Sequence, residues 1–297
     1  MAGKIITYMN SNGTAPNNVT DTSVGSIMGY ESLVYMFSKI MTSYDATKSA
    51  PENVFVIPWV ALSNPNGTFN FRTQEIFNSI QEAIDDQDTV NGDTIWLHKT
   101  NYLENIVINK RITIRPIYGV NVTIQALDPN LPVFTLNIGA NGTTIQDLII
   151  KGSTYNAGIF INNSNENQIF GNNITNNTNG IYLYNATDNL ISGNEILNNS
   201  INGILINTGS DNEISSNKIF SNVSAGITIQ NSDKNRIYSN NIYNNLDGIS
   251  LNNSSTEVHF NRITGNSRYG LYNVGNGTIN ATNNWWGSNN PLVSSTA

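Results

Sequence analysis

The charged residues of the second half of this chain recur at fixed intervals. Glu213, Arg236 and Glu257 form one column and Glu195, Lys218 and Arg262 another, each pointing outward in register. Opposite charges alternate up the first column, which is the pattern of cross-strand ion pairs on a wet surface, each worth about 0–1 kcal/mol. Asp188, Asp211 and Asp233 share a corner position, where Asp is a turn former and where stacked carboxylates offer a Ca²⁺ ladder as a second reading. Polysaccharide cleavage by acid and base needs two carboxylates about 5–10 Å apart on one face. The stretch that best offers them is residues 95–150 with its approach, where Asp93, His98, Lys99, Glu104, Arg115, Asp128 and Asp147 fall. His98 and His259 are the two histidines and have no metal-ligand spacing. Aromatic side chains form a further set: Phe160, Tyr182 and Tyr272 recur outward with Leu205, and Tyr184 lies beside them. Tyrosines with a wet hydroxyl suit contact with sugar rings, and these four aromatics are the glycan-stacking candidates. Phe170, Tyr238, Phe220 and Tyr243 point outward on the other two faces.

A strict repeat positions these residues. Gly158, Gly180, Gly203, Gly226, Gly248 and Gly270 set a period of 22 or 23 residues. Asparagines keep the same register in three columns. The first is Asn167, Asn189, Asn212, Asn235; the second is Asn172, Asn194, Asn217, Asn240, Asn261, Asn283; the third is Asn177, Asn199, Asn222, Asn245, Asn266. Ile pairs such as Ile204/Ile206 and single Ile columns such as Ile174, Ile196, Ile219, Ile242, Ile263 fill the spaces between. A fixed period of this length marks a solenoid, and period-2 alternation in three short segments per copy predicts three strands and three corners. The expected fold is mainly β: a parallel β-helix of about nine coils, six regular and about three irregular, with each Asn column a ladder. Rungs about 4.8 Å apart make a rod about 40 Å long.

Composition narrows the function classes. Net charge is −7, with 14 Lys and Arg among 297 residues, too few and too scattered for a phosphate-neutralising face, so nucleic acid is excluded as a partner. Cysteine is absent, which removes thiol nucleophiles, disulfides and Cys-ligated metals; no resident cofactor is expected. No apolar run approaches the length of a membrane span, and the start, MAGKIITYMN, is no signal peptide, so an exported form would have lost its leader. Fifteen N-x-S/T sequons occur, among them Asn141 and Asn252.

Residues 1–62 differ in period from the rest. Apolar spacing predicts a helix over 4–12, a turn and short extended piece over 14–20, a second helix from Tyr30 to Met41 and an extended segment from Val54 to Leu62. The run IITYMNSNGTAPNNVT followed by YESLVYMFSKIM resembles the pseudomurein-binding repeat of methanogenic archaea, over roughly 40 residues. That resemblance implies attachment to pseudomurein, with Tyr8, Asn12, Pro16, Asn17, Asn18, Tyr30 and Tyr35 as wall-binding candidates; the tyrosine common after Pro-Asn is Asn18 here. The plain alternative is a small helical cap. Residues 63–72 read as a linker, and 73–88 as a capping helix with Thr73 as N-cap. The β-helix then runs over 89–292, with Trp285 and Trp286 plugging its end.

The run from IQEAID through NGDTI and NYLENIVINKRITI into the coils resembles NosD-type and CASH (carbohydrate-binding and sugar hydrolase) β-helix domains, which are right-handed, and ATNNWWGSNNP is similar to the closing rung of adhesin-like surface proteins of methanogens. Those resemblances imply an extracellular, wall-associated protein whose partner is pseudomurein or another cell-surface glycan. The expectation is a non-catalytic anchored rod, with two alternatives: a polysaccharide-active enzyme with its site in the irregular coils 95–150, and a viral receptor-binding protein for a methanogen host.

Overall fold

The computed structural model describes residues 18–21, 26–29, 67–117 and 119–288. The chain divides into two compact units, Met1–Pro65 and Asn66–Ala297. In the first, β1 (Asn18–Asp21) and β2 (Ser26–Gly29) form an antiparallel hairpin with Asn18 opposite Gly29. β1 is the extended piece expected after Pro16-Asn17, whereas β2 was not foreseen. The two helices expected in this unit, the segment over 54–62 and the candidates Tyr8, Asn12, Pro16, Asn17, Tyr30 and Tyr35 lie outside the described residues.

The second unit is a parallel β-solenoid of three sheets. The first sheet has eight strands, from Ile106–Ile108 to Tyr269–Val274; the third has eight, from Asn101–Leu103 to Arg262–Thr264. The second sheet has eleven strands. It opens with β3 (Thr68–Asn70) and β4 (Ile76–Phe77), which are antiparallel, and continues in parallel from β5 (Thr94–Leu97) to Ile279–Asn280. The result is eight complete turns and the first strand of a ninth, in keeping with the roughly nine coils expected. Each regular turn places two inward Ile or Leu residues on the first sheet and one on each of the others, nearly all fully buried, and these join in a single apolar cluster. Burying one such side chain is worth about 1.5–3 kcal/mol, so the Ile columns carry most of the stabilisation.

The N-terminal end is sealed differently from the expectation. The segment 73–88 is not one helix. Gln74 takes a left-handed φ of 64°, β4 pairs with β3, and the helix α1 (Ile80–Asp85) has Ser79 as its N-cap rather than Thr73. Ser79 accepts from Glu82 N at 3.0 Å, and Glu104 takes the remaining N-terminal donors, Ile80 N and Gln81 N. α1 drives Ile80, Ala83 and Ile84 into the open end of the core. The supposed linker supplies β3, whose Thr68, Phe69 and Asn70 are buried on the edge of β5. At the other end Trp286 packs on the core beside Gly270, while Trp285 is 44% exposed, so one of the two tryptophans is the plug.

All three Asn ladders form. In each, the side-chain oxygen of the upper Asn accepts both the backbone N–H and the side-chain Nδ2 of the one below, as Asn189 does from Asn167 at 2.9 Å each. The second ladder ends at Asn284 and not at Asn283, because the terminal coil keeps a 23-residue step: Asn261 N donates to Asn284 Oδ1 at 3.0 Å. Asn283 stands one position earlier at the same corner, above Phe260, with φ 59°. Such left-handed residues recur four times in most regular coils, for instance Asn185, Asp188, Gly193 and Asn198. Asn, Asp and Gly tolerate this conformation best, which accounts for much of the Asn content outside the ladders.

Candidate functional site

The first sheet turns a continuous face outward. Its central row, read up the rod, is Phe160, Tyr182, Leu205, Thr228, Ser250 and Tyr272 in exact strand register. A second row is Asn162, Tyr184, Asn207, Gln230, Asn252 and Val274. On the other side, Asn179 stands above Ala157, and Tyr269 above Asp247 above Ala225. Asn202 lies between them, donating to Asn179 Oδ1 at 3.0 Å and accepting from the Thr228 hydroxyl at 2.9 Å.

The glycan-stacking candidates divide into two groups. Phe160 and Tyr182 stack on each other at 5.0 Å, with Tyr184 edge-on to Tyr182 at 6.4 Å. Tyr272 lies four rungs above Tyr182, about 19 Å at the strand spacing. It stacks on Tyr269 at 4.9 Å and 8°. The aromatics are therefore no continuous platform: their facing surfaces are spent on one another, and a floor of Leu205, Thr228 and Ser250 separates the two clusters. Arg268, absent from the sequence reading, lies against both upper rings, its guanidinium carbon 5.5 and 5.6 Å from their centres. Asp247, 2% exposed, holds that guanidinium by two hydrogen bonds, Nε to Oδ1 at 2.9 Å and Nη2 to Oδ2. Asp247 and Tyr269 sit one position before the repeat glycines, which reads as a corner in the sequence; because the glycine and the next Ile both face inward, the preceding residue is turned onto the outer face. A phenol pair beside a fixed guanidinium can pass a proton and steady developing negative charge on a bound sugar.

The other faces carry ion pairs, as expected. Arg236 pairs with Glu213 at 2.9 Å and Lys218 with Glu195 at 2.6 Å, while Arg262 bonds Asn241 at 3.0 Å. The Tyr238 hydroxyl donates to Glu213, which together with burial raises its pKa. Phe220 and Tyr243 stack at 4.9 Å under the Lys218 ammonium.

In the irregular coils the carboxylates each have local hydrogen-bond partners. Glu104 caps α1, and burial holds it above the ordinary carboxylate range. Asp128 binds Asn130 N at 2.9 Å, and Asp147 accepts from Gln146 at 2.8 Å. His98 is buried with its ring 6.2 Å from that of Phe69. Asp93 accepts from Arg72 at 2.6 Å, Asn70 at 3.0 Å and Val90 N at 3.0 Å. Burial pushes Asp93 up, yet these bonds outweigh it and hold the carboxyl below its usual range. A depressed value contributes stability above the ordinary carboxylate range that is lost as pH falls through the folded value. In acid titrations of stability the Asp93→Asn variant should therefore lose less than the parent over that window; equal losses would remove Asp93 from the acid response.

Among the described residues one acidic group converges within 4.8 Å: Glu75, Asp86 and Asp88. The Ca²⁺ ladder read at Asp188, Asp211 and Asp233 is not a single column. Asp188 and Asp211 share theirs with Glu166 and Lys234, all with left-handed φ, whereas Asp233 stands in the adjacent column and accepts from Ser255 N at 2.9 Å.

Residues 135–286 match the family described as the right handed beta helix region. The chain belongs to the right-handed β-helix family. Over 109 residues it is 37% identical to a cell surface glycoprotein of Methanothermus fervidus, an alignment covering 37% of this chain and 16% of that protein. The chain thus spans about a sixth of that relative's length. Among solved structures, the periplasmic alginate epimerase AlgG is similar at a TM-score of 0.56 and 18% identity, over 65% of this chain and 50% of that one. An alginate lyase from Paenibacillus sp. str. FPU-7 gives 0.49 and 14%, over 70% and 92%. The likeness to the epimerase overturns the expectation of a non-catalytic rod as one the fold would imply. The right-handed β-helix is a fold that an alginate epimerase uses, so the fold is no ground for calling this chain inactive.

Proposed function

We propose that this chain is a surface-displayed β-helix that acts on a polysaccharide lying across the outer face of the first sheet. The observation that carries the reading is the bracketed floor: Phe160, Tyr182 and Tyr184 at one end, Tyr269 and Tyr272 with the Asp247–Arg268 pair at the other. The reaction centre in this reading lies at the upper end, where Arg268 and the two phenols meet. Surface display is supported by the cell surface glycoprotein relative. Residues 1–62 are read as the wall anchor, through N-G-x-x-P-N-x-V-T and its resemblance to the pseudomurein-binding repeat.

The test is one experiment with two arms on the full chain. In the first, a panel of soluble polysaccharides is incubated with the protein, and retention and products are followed by affinity electrophoresis and mass spectrometry. Tyr182→Ala should weaken retention, and Tyr272→Phe should abolish conversion while retention persists. If no polymer is retained or altered, the reading of this face is wrong. In the second arm, the parent should sediment with pseudomurein walls and the Asn12→Ala/Pro16→Ala variant should not; equal sedimentation removes the anchor.

A further inference from the structure

We infer that the ligand of this face is an uncharged glycan segment rather than a uronate or other anionic polymer; the inference rests on the reading of the first sheet as the glycan face. Between the aromatic clusters, the outward residues over three rungs are Leu205, Thr228 and Ser250 in the central row and Asn207, Gln230 and Asn252 beside them. On the other side the same rungs carry Asn202, Ala225 and Asp247. Of the nine, Asp247 alone is ionisable, and it is paired with Arg268. The contrast with the other two sheets is sharp, because there the outward positions of the same rungs carry Glu213, Arg236 and Glu257 on one, and Lys218, Asn241 and Arg262 on the other.

Two features of the floor point to hydroxyl-rich partners. The amides of Asn207, Gln230 and Asn252 stand in register and make no hydrogen bond to any described residue, so each presents both a donor and an acceptor outward. Asn202 is fixed by Asn179 and Thr228 in the row behind, which holds that side of the floor rigid. An amide pairs equally with either end of a sugar hydroxyl, whereas a carboxylate can accept from the amide NH2 groups but is opposed by the carbonyl oxygens beside them. The one cation at the edge does not change the balance. Arg268 has two of its donor nitrogens committed to Asp247, so the pair is neutral as a unit, and the chain's net charge of −7 repels an anionic polymer at long range.

The experiment is titration calorimetry with the full chain against manno-, cello- and chito-oligosaccharides on one side and alginate and polygalacturonate oligosaccharides on the other, at about 0.05 and 0.5 M NaCl. At least one neutral series should bind with an affinity that changes less than about twofold with salt, and the anionic series should bind at least about tenfold more weakly. Ser250→Lys, at a half-exposed outward position, should leave the thermal unfolding unchanged and let the anionic series bind in a salt-sensitive way. If the anionic oligosaccharides bind the parent more tightly, with affinity fading as salt rises, the uncharged ligand is refuted while the face itself stands. If neither series binds and Tyr182→Ala changes nothing, the face is misassigned and this inference falls with it.

Discussion

Gly203→Ala should destabilise the β-helix by about 1–3 kcal/mol or more, a cost set by overpacking of a site with no room to relax. A Cβ at that position would lie 2.5 Å from the carbonyl oxygen of Gly226, 2.7 Å from the Ile219 methyl and 3.0 Å from the Asn222 amide. The first of these is backbone in the next rung, so the clash is relieved only by opening the rung spacing, which lengthens ladder and strand hydrogen bonds together. Gly193 is the control. It has φ +63° and nothing nearer than 3.9 Å to an added Cβ, and Ser216 and Ser239 take the same conformation in the rungs above. Gly193→Asn should therefore cost less than about 1 kcal/mol, since Asn accepts left-handed backbone. Urea melts of the two variants decide between a glycine needed for space and one needed for conformation; equal shifts would mean the column is not tightly packed.

Asn217→Ala is expected to cost about 1–3 kcal/mol, because it breaks the middle of the second ladder. Its Nδ2 donates to Ile191 O at 2.9 Å and Asn240 Oδ1 at 3.0 Å, and its Oδ1 accepts from Asn194 N at 2.9 Å and Asn194 Nδ2 at 3.0 Å. All these groups are buried, and water cannot replace the missing side chain without a cavity of its own. Lys218→Ala, one residue on, should leave the urea midpoint where it is: the Lys218 bond to Glu195 is solvent-exposed on both sides. Small and equal shifts in the two variants would mean that the ladders do not hold the corners.

Much of this was legible in the sequence because a solenoid writes its register in identity. Gly203, Asn217 and Ile219 each recur one coil above and below, so the columns could be drawn before any coordinate. Where the period slips, the reading slipped with it: the second ladder was carried one residue short, to Asn283 in place of Asn284. The capping segment failed for another reason. Ile76, Phe77, Ile80, Ala83 and Ile84 fit one helical stripe, yet the edge of β5 needed an antiparallel partner, and Gln74 turns the chain to provide β3 and β4. Tertiary demand outweighed local periodicity there. At the candidate site, Tyr182 and Tyr272 were found from their column, but Asp247 and Arg268 were not. No spacing rule announces that a residue before a repeat glycine is turned outward, or that a guanidinium reaches back to it from a corner.

The Asn ladders also have a direction. Every ladder oxygen reaches toward the N-terminal side, satisfying the backbone N–H of the rung that precedes it in the chain: Thr143, Leu148 and Ser153 are each served by the Asn of the following turn, at 3.0 Å. A rung therefore completes its corners only after its successor has been laid down. The structure grows like a zipper whose teeth are locked from the C-terminal side, and a chain stopped between two turns always leaves its newest corners waiting for acceptors. Asn284 supplies that last oxygen to Asn261, and Trp286 closes the core behind it. Asn284 and Trp286 thus give the last described rung the acceptor and the apolar cover that every other rung receives from its successor.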